Sequence, residues 1–214
     1  IVMNVVPGAP AVKVWNRLDL QQKRGIVTEL GQIMATLHTL PPLVLSDNTA
    51  LDKTASGDVA LGGDWNTFVQ ARLDNAEKHH KAEEPWKSWI NQRLEDFSPT
   101  PLPAVLLSAD ITADHLLLSQ QGDHWRVTGF IDFGDARMGH PYYEFIAPLA
   151  YYTLGTPELA KLLLESYGLV LTAELADELT TWCLLHEFGR LQDFLDACSV
   201  GSPQEFHRAL WGDT

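Results

Sequence analysis

The sequence predicts an α+β fold that is mostly helical, with a small group of strands near its middle. Two observations support this prediction. Over most of the chain, apolar residues recur at steps of three and four, which is typical of helices with one buried face. Between residues 104 and 131, short apolar runs alternate with turn-forming segments, which is typical of strands and hairpins. The 214 residues suffice for one sizeable core.

The first part of the chain is predicted to contain one strand and one helix. Residues 1–6 form a short apolar run that ends at Pro7-Gly8, as expected of a strand that enters a turn. From Asp19 the apolar pattern becomes helical and continues over residues 20–37. Residues 43–63 are rich in Ser, Asp, Asn, Thr and Gly, and are predicted to be a surface loop.

The middle of the chain is predicted to pass from helices to strands. Asp64 is a suitable N-cap for a second helix that begins at Trp65, and a third helix is expected over residues 85–97. Three prolines between residues 99 and 103 then hold the chain extended. They lead into Ala104-Val105-Leu106-Leu107, a continuous apolar run that predicts a buried strand.

A hairpin and a series of helices are predicted for the second half. Residues 116–118 and 125–131 flank Gln120-Gln121-Gly122-Asp123, a Gly-containing loop typical of a hairpin. Beyond Pro141 the apolar spacing is helical, and we expect helices near residues 142–154, 157–167, 172–198 and 203–211.

Charge favours one class of partner and argues against another. The chain has 15 Lys and Arg against 28 Asp and Glu, a formal charge of -13. Nucleic acids require basic patches, so they are not expected as partners. A cationic small molecule is the better expectation, because an acidic cleft would attract it. An acidic surface that serves solubility alone is the alternative.

Other compositional features point to a cytoplasmic protein. Cys183 and Cys198 both lie in regions with helical spacing, so no disulfide framework is predicted. No apolar run approaches the roughly 18 residues needed to cross a bilayer, and no signal peptide is recognisable. Because the chain begins with Ile1 rather than Met, we expect it to be cut from something longer or to lack upstream residues.

Three polar residues at strand ends carry the chemistry. Asp110 follows the buried strand and opens a loop, where its carboxylate could accept a proton from a substrate hydroxyl. Asp132 follows the second hairpin strand and is a suitable Mg²⁺ ligand beside nucleotide phosphates. His115 lies five residues after Asp110, within reach of the same ion. Singly they could be a turn former, a hairpin end and a core histidine, but their order and spacing together predict phosphoryl transfer.

Residues 105–145 resemble the catalytic segment of the aminoglycoside phosphotransferase family, which is related to the protein kinases. The family pattern is His-x-Asp-x-x-x-x-Asn followed by Ile-Asp-x-Gly; here the first becomes Ser108-Ala109-Asp110, four residues and His115, and the second Ile131-Asp132-Phe133-Gly134. The His in place of Asn is most similar to the 2''-aminoglycoside phosphotransferase branch. The fold implied is a protein-kinase-like C-terminal lobe whose strand cluster carries the catalytic loop.

The resemblance implies roles for five residues of this segment. Asp110 would be the catalytic base, and His115 and Asp132 would bind Mg²⁺. Asp135 would lie beside the metal and face an amine or hydroxyl of the substrate. Glu144 would have a structural role, such as holding the catalytic loop. The implied reaction moves the γ-phosphate of ATP or GTP to a hydroxyl of a small molecule, with an aminoglycoside-like amino sugar as the leading acceptor.

The resemblance also implies a nucleotide site and a division of the chain. Residues 1–8 would be a hinge strand and residues 9–214 the kinase-like lobe. Asn4 and Val6 would contact adenine through their backbone, and Ile131 would also contact the nucleotide. The family's first lobe, with its Gly-rich loop and nucleotide Lys, would precede residue 1 and is a possible missing partner of this chain. Ala11-Val12-Lys13 is similar to the strand motif that carries this Lys, but no Gly-rich loop precedes it, so we do not assign it that role.

Several alternatives remain open. Ser108 replaces the family's customary His, so the lobe could be catalytically incompetent: a pseudokinase, a binding module or a truncated remnant. Within the kinase class, choline, homoserine or fructosamine could be the acceptor. The pair His79-His80 is expected on a solvated charged face, and His140 in a turn. A helix face with His186, Glu187, Arg190 and Asp193 is expected either to line the substrate pocket or to face solvent.

Overall fold

The described chain consists mainly of helices, with three small antiparallel sheets. The structure is a computed structural model that describes residues 6–41, 44–45, 59–60, 64–95, 97–187 and 189–213. The strand expected over residues 1–6, including Asn4, therefore lies almost entirely outside the described residues, and Val6 is not in a strand. The α-helices of this part of the chain are α1 (Ala11–Val14), α2 (Leu20–Leu37), α3 (Trp65–His80), α4 (Trp86–Glu95), α5 (Ile146–Pro148), α6 (Pro157–Tyr167), α7 (Ala173–Cys183), α8 (Leu191–Cys198) and α9 (Pro203–Trp211).

The strands pair in antiparallel fashion. A three-stranded sheet has the order β1 (Ala9–Pro10), β5 (Leu116–Gln121) and β6 (His124–Phe130). A second sheet pairs β4 (Val105–Leu107) with β7 (Arg137–Gly139), and a third pairs β2 (Val44–Leu45) with β3 (Val59–Ala60). The predicted strand near residues 104–107 and the predicted hairpin are therefore confirmed, whereas the loop expected over residues 43–63 contains a strand pair too short to leave a sequence pattern.

Helix α2 follows the sequence prediction closely. The Asp19 carboxylate accepts a hydrogen bond from the Gln22 N–H (2.8 Å), and the Gln22 side chain accepts one from the Asp19 N–H (3.0 Å), which completes a capping box. The buried face carries Ile26, Leu30 and Met34. Helix α2 packs against α6 and also contacts the hairpin strand β6.

The long helix expected over residues 172–198 is broken. Helix α7 ends at Cys183 and α8 begins only at Leu191. The apolar pattern continues through Leu184 and Leu185 because both are buried, so periodicity alone could not reveal the break. The described residues between the two helices, 184–187 and 189–190, run instead as turns and irregular backbone; together with Leu191, the first residue of α8, they are here called the 184–191 segment.

The helix expected over residues 142–154 is a composite of three short elements. A 3₁₀ turn (Pro141–Phe145) leads into α5 and then into a π-helical turn (Leu149–Thr153). Such π turns are frequent at functional sites. The largest fully buried side chains of the core include Trp182, Phe145 and Phe206. In the described part of the chain, no helix is both long and apolar enough to cross a membrane. The predicted α+β, mostly helical fold is confirmed.

Candidate active site

The loop that follows β4 is held in place by a buried carboxylate. This loop, residues 108–115, begins where the Ser108 N–H donates to Glu144 Oε2 (2.8 Å). The Glu144 side chain is fully buried, and His38 Nε2 lies 3.7 Å from the same oxygen. The Ser108 hydroxyl in turn accepts a hydrogen bond from the Asp110 N–H (3.2 Å). Glu144 thus occupies the position expected of a residue that holds the 108–115 loop.

The backbone of the loop is bent by a residue in the left-handed region. Ala109 has φ of 63°, a conformation that costs a residue with a Cβ on the order of 1–2 kcal/mol. The bend follows the buried strand directly and turns Asp110 toward the ends of β5 and β6. Strained backbone of this kind is often found where a side chain must be aimed at a functional site.

His115 lies between the two aspartates. Its Nδ1 is 3.0 Å from Asp110 Oδ2, and also 3.2 Å from both Thr112 Oγ1 and the Asp110 carbonyl oxygen. Its Nε2 is 3.7 Å from Asp132 Oδ2. The structure therefore brings Asp110, His115 and Asp132 together, as their order in the sequence predicted.

Asp132 stands at the end of the second hairpin strand in a strained conformation. Its φ is 65°, and its Oδ1 accepts a hydrogen bond from the Gly134 N–H (3.1 Å). The Asp132 side chain is 60% exposed, whereas that of Asp110 is 17% exposed. One carboxylate is thus open to a ligand from solution, and the other lies deeper beside the loop.

The environment of Asp110 makes it a stronger base than an ordinary aspartate. Burial raises the pKa of its carboxyl group, His115 opposes this, and the nearby charges of Asp135 and Asp132 raise the pKa further. A carboxylate with a raised pKa holds a proton more tightly, which suits a group that must accept one from a hydroxyl.

The side chains fit a Mg²⁺ ion that is shared with phosphates. Among the described residues, no three His, Cys, Asp or Glu side chains are arranged to hold a metal ion by themselves. Mg²⁺, however, commonly takes one or two protein ligands plus phosphate oxygens and water. Two ligands at about 2.1 Å from one ion lie at most about 4.2 Å apart, and His115 Nε2 and Asp132 Oδ2 are separated by 3.7 Å. With the His115 Nδ1 proton donated to Asp110, the Nε2 lone pair is left for the ion.

The other predicted site residues are only partly placed. Asn4 lies outside the described residues. Val6 is exposed and sits against Gly129 of β6. The Ile131 N–H donates to the His115 carbonyl oxygen (3.0 Å), and its side chain is exposed at the end of the hairpin. Asp135 is half-buried and contributes to the raised pKa of Asp110.

A cavity of about 230 Å³ opens beside Asp110. One side is formed by the 108–115 loop and another by α5 and the π-helical turn. The third side is formed by the 184–191 segment and α8. The cavity therefore joins the proposed base to the helical part of the chain, where a substrate could be recognised. Its lining side chains among the described residues are Asp110, Thr112, Ile146, Ala147, Ala150, Tyr151, Leu154, His186, Gly189, Asp193, Phe194 and Ala197.

Two histidines that the sequence did not assign to a site hold this third side. His80 is buried; its Nε2 is 2.7 Å from the Leu184 carbonyl oxygen, and its Nδ1 accepts a hydrogen bond from the Leu191 N–H (3.1 Å). His79 Nε2 is 3.0 Å from the Gly189 carbonyl oxygen. The expectation that His79 and His80 lie on a solvated face is therefore wrong, because the last turn of α3 packs against the 184–191 segment.

The polar helix face expected near residue 190 is also corrected. His186 and Glu187 lie in the 184–191 segment rather than on a helix. His186 is buried, stacks on Tyr143 and lines the cavity, and burial lowers the pKa of its imidazole to about 4. Glu187 faces Arg137 (3.4 Å). Arg190 caps α8, and Asp193 both accepts its N–H and lines the cavity.

Two further expectations concern residues outside the cavity. His140 begins a 3₁₀ turn, and its Nδ1 accepts a hydrogen bond from the Tyr142 N–H (3.2 Å), as expected of a turn residue, although it is buried rather than exposed. Lys13 is exposed in the short helix α1 and not in a strand, so the exclusion of Ala11-Val12-Lys13 as a nucleotide-lysine strand is confirmed.

These features define a kinase-like lobe in which two aspartates and a histidine are grouped beside a cavity. A family model described as the phosphotransferase enzyme family matches residues 1–179, and the chain belongs to this family. The predicted aminoglycoside phosphotransferase likeness is thereby confirmed.

Solved structures of several phosphotransferases have the same fold. They include the GDP and kanamycin complex of APH(2'')-IIia, which has a TM-score of 0.63 at 18% identity over 95% of this chain and 65% of that chain. An aminoglycoside-3'-phosphotransferase of type VIII has a TM-score of 0.57 at 17% identity, with coverages of 89% and 66%. A macrolide 2'-phosphotransferase type I has a TM-score of 0.54 at 19% identity, with coverages of 89% and 59%. This chain thus spans about two thirds of the length of these relatives.

One curated sequence is also similar. The lysine-specific demethylase JMJ21 of Arabidopsis thaliana is 23% identical over 180 residues, which cover 70% of this chain and 19% of that protein. Because the match covers about a fifth of the demethylase, it carries no argument about demethylation.

Proposed function

We propose that this chain carries the catalytic loop and acceptor site of an enzyme that transfers the γ-phosphate of ATP or GTP to a hydroxyl group of a small molecule. The observation that carries the proposal is the grouping of Asp110, His115 and Asp132 at the mouth of a cavity. A base, a metal-binding pair and a place for the acceptor are the parts that phosphoryl transfer requires.

The chemistry follows from the placement of Asp110. An acceptor hydroxyl in the cavity would give its proton to the Asp110 carboxylate. Its oxygen would form a bond to the γ-phosphorus while the bond from that phosphorus to the β-phosphate oxygen breaks, which releases the nucleoside diphosphate. His115 would keep the carboxylate oriented through its contact at Nδ1.

The residues toward β6 would hold the metal and the nucleotide. His115 and Asp132 would bind Mg²⁺, which neutralises charge between the phosphates. Ile131, Val6 and Asn4 are proposed to contact the nucleotide, and residues 1–8 to form the hinge that enters the lobe of residues 9–214. The Thr128 hydroxyl donates to the Pro7 carbonyl oxygen (2.5 Å), which supports a hinge that is anchored on the hairpin.

An amine-bearing acceptor suits the charge of the chain. The formal charge is -13; Asp193 lines the same cavity as Asp110, and the charge of Asp135 acts on Asp110. We propose an aminoglycoside-like amino sugar as the first class to assay, since the similar structures include enzymes named for such substrates. Choline, homoserine and fructosamine are the other candidates to include.

The decisive test is Asp110→Asn in the full-length protein that contains this chain. With Mg²⁺, ATP or GTP and an acceptor panel, the variant should lose about 10²–10⁴ in turnover, as is typical when a general base is removed. Nucleotide affinity should be retained. Asp123→Asn, at an exposed carboxylate in the β5–β6 turn, is the matched control and should leave turnover unchanged. Equal rates in wild type and Asp110→Asn would reject the proposal.

A second measurement separates metal binding from proton transfer. Asp132→Ala should remove the dependence of nucleotide binding on Mg²⁺, because the open carboxylate beside His115 is lost. Binding titrations with and without Mg²⁺ give this result directly. If the wild-type protein binds nucleotide and acceptor but shows no turnover, the binding-module alternative is favoured instead.

A further inference from the structure

Arg137 lies where the strand pair of β4 and β7 meets the two loops that carry the proposed site. It pairs with Leu107, the last residue of β4, and it directly follows the turn of residues 131–136, which carries Asp132. Its side chain is only 13% exposed. A guanidinium that is largely removed from water needs partners in several directions, so the contacts of Arg137 show which parts of the chain it holds together.

The guanidinium of Arg137 contacts three different parts of the chain. Its Nε–H donates to the Asp135 carbonyl oxygen (3.3 Å), in the turn that precedes β7. Its Nη2 lies 3.4 Å from Glu187 Oε2, in the 184–191 segment. The group also lies over the Phe68 ring of α3, with its central carbon 4.0 Å from the ring centroid. One planar group thus joins the turn to the 184–191 segment and is itself held on a helix.

The Glu187 end of this contact reaches the wall of the cavity. The Glu187 N–H donates to the Tyr143 hydroxyl (3.1 Å). The Tyr143 ring in turn stacks on the His186 imidazole, with centroids 5.6 Å apart and planes at 10°, and His186 lines the cavity. Burial lowers the pKa of His186, and the charges of His79 and Arg137 lower it further, so Arg137 lies near this wall. A shift of Arg137 would therefore move the residue next to the cavity lining.

The other end of the contact belongs to the turn that carries Asp132. The Asp132 backbone has φ of 65°, and its Oδ1 accepts a hydrogen bond from the Gly134 N–H (3.1 Å). Gly134 directly precedes Asp135, whose carbonyl oxygen is the one that Arg137 contacts. Because this hydrogen bond closes the turn over two residues, a ligand that fixes the Asp132 carboxylate also restrains the Asp135 carbonyl group.

We propose that Arg137 is a positioning residue that couples nucleotide binding at Asp132 to the order of the 184–191 segment. This inference rests on the proposed function, because that function places the nucleotide beside Asp132 and the acceptor against this segment. A ligand at the turn fixes the Arg137 guanidinium, which holds Glu187 and with it the cavity wall. Because coupling between two sites is reciprocal, an acceptor in the cavity strengthens nucleotide binding by the same factor.

The test measures amide exchange of the segment with and without nucleotide, in the full-length protein that contains this chain. The amides of Glu187 and Gly189 are suitable, since each donates a defined hydrogen bond. Mg²⁺ with ADP is the probe, because it binds without turnover. Saturating probe should slow exchange at both amides about fivefold, the lower end of typical coupling between sites. Exchange of the Gly212 amide, at the end of α9, should not change.

Variants at both ends of the contact test the role of Arg137. Arg137→Gln should bind the probe within about threefold of the wild-type affinity but lose the slowing at both amides. A residue with a structural role alone would raise exchange equally with and without the probe, so the ratio of the two rates would stay at its wild-type value.

Glu187→Ala breaks the same contact from a side chain that is 33% exposed, so it tests the inference even if Arg137→Gln does not fold. Glu187→Gln keeps an acceptor oxygen and should retain the slowing. Arg208→Gln, which removes an exposed ion pair with Asp213 at the end of α9, is the matched control and should also retain it. Far-UV circular dichroism checks that each variant is folded.

The outcomes separate the inference from the proposed function. If the probe binds but slows neither amide in the wild type, or slows both equally in Arg137→Gln and Glu187→Ala, the inference is overturned and phosphoryl transfer stands. If the slowing depends on Arg137 but the wild type turns over no acceptor of the panel, the inference is supported and the proposed transfer is contradicted. If the probe does not bind to the wild type, both are overturned.

Discussion

The two sides of the cavity are held by different kinds of contact. On the side of Asp110, the 108–115 loop is organised largely by residues close to it in the sequence, such as Ser108, Thr112 and His115. On the opposite side, the 184–191 segment is held by His79 and His80, more than a hundred residues earlier. The structure of the 108–115 loop can therefore be predicted from the spacing of its residues in the sequence, whereas that of the 184–191 segment cannot. The side that carries Asp110, the proposed base, is organised locally, whereas the side proposed to select the acceptor depends on the packing of a distant helix.

The largest loss of stability is expected at Glu144, the one distant residue described above that holds the 108–115 loop. Glu144→Ala should lower the free energy of unfolding by about 3 kcal/mol, because the buried Ser108 N–H loses its acceptor and His38 loses its neighbour. Glu144→Gln keeps an acceptor oxygen and should cost about 1 kcal/mol. Urea denaturation measures both. If Glu144→Ala lowers the free energy of unfolding by less than about 0.5 kcal/mol, the 108–115 loop keeps its conformation without Glu144.

A smaller effect is expected on the acceptor side. His80→Ala removes the contacts to Leu184 and Leu191 and should cost about 2 kcal/mol of stability. Amide exchange should accelerate at Leu191, and KM for the acceptor should rise while KM for the nucleotide stays constant. His124→Ala, at an exposed histidine of the hairpin, is the control. Unchanged exchange at Leu191 would show that the segment needs no support from α3.

The same variant makes a pH dependence measurable. Burial lowers the pKa of His80, its bond to Leu184 opposes this, and the neighbouring His79 lowers it further. As pH falls below the ordinary histidine value of about 6.5, the unfolded state takes up a proton that the folded state resists, so stability is lost. The stability difference between wild type and His80→Ala should therefore shrink from pH 7 toward pH 5. A difference that is constant over this range would contradict the neutral, buried state of His80.

The smallest effect concerns the contact between the 108–115 loop and the π-helical turn, which forms another side of the cavity. The Tyr152 hydroxyl donates to the Thr112 carbonyl oxygen (2.8 Å) and so ties the π-helical turn to the 108–115 loop. Tyr152→Phe should cost about 1 kcal/mol. Combined with His80→Ala in a double-mutant cycle, it should be additive if the two sides are independent. A coupling energy above about 0.5 kcal/mol would show that they respond as one unit.

Much of the fold, and the placement of the residues proposed to bind a metal ion, could be predicted from sequence. The capping box at Asp19, the Gly-containing hairpin loop and the strand before Ser108 are local signals, because each is made by residues that are neighbours in the chain. The grouping of Asp110, His115 and Asp132 could be predicted because the paired ends of β5 and β6 place His115 beside Asp132, and Asp110 lies only five residues before His115.

The 184–191 segment, on the side of the cavity proposed to select the acceptor, could not be predicted, because no periodic pattern in the sequence marks where helix α7 ends. Leu184 and Leu185 are buried, so they continue a helical pattern that the backbone does not follow. Where α7 has ended, the His80 imidazole contacts the Leu184 carbonyl oxygen and accepts a hydrogen bond from the Leu191 N–H, which begins α8. In the sequence, two adjacent histidines among charged residues are typical of a solvent-exposed helix face. Only the packing of α3 in the structure shows that His79 and His80 contact the 184–191 segment instead.

The left-handed backbone at Ala109 and Asp132 limits how this protein could be re-engineered. Branched side chains are strongly disfavoured at such dihedral angles, so diversity introduced there would mostly lower stability. The π-helical turn around Tyr151 and the exposed face of α8 carry no such backbone restriction. A library aimed at new acceptors should therefore randomise these two surfaces and leave the two bends untouched.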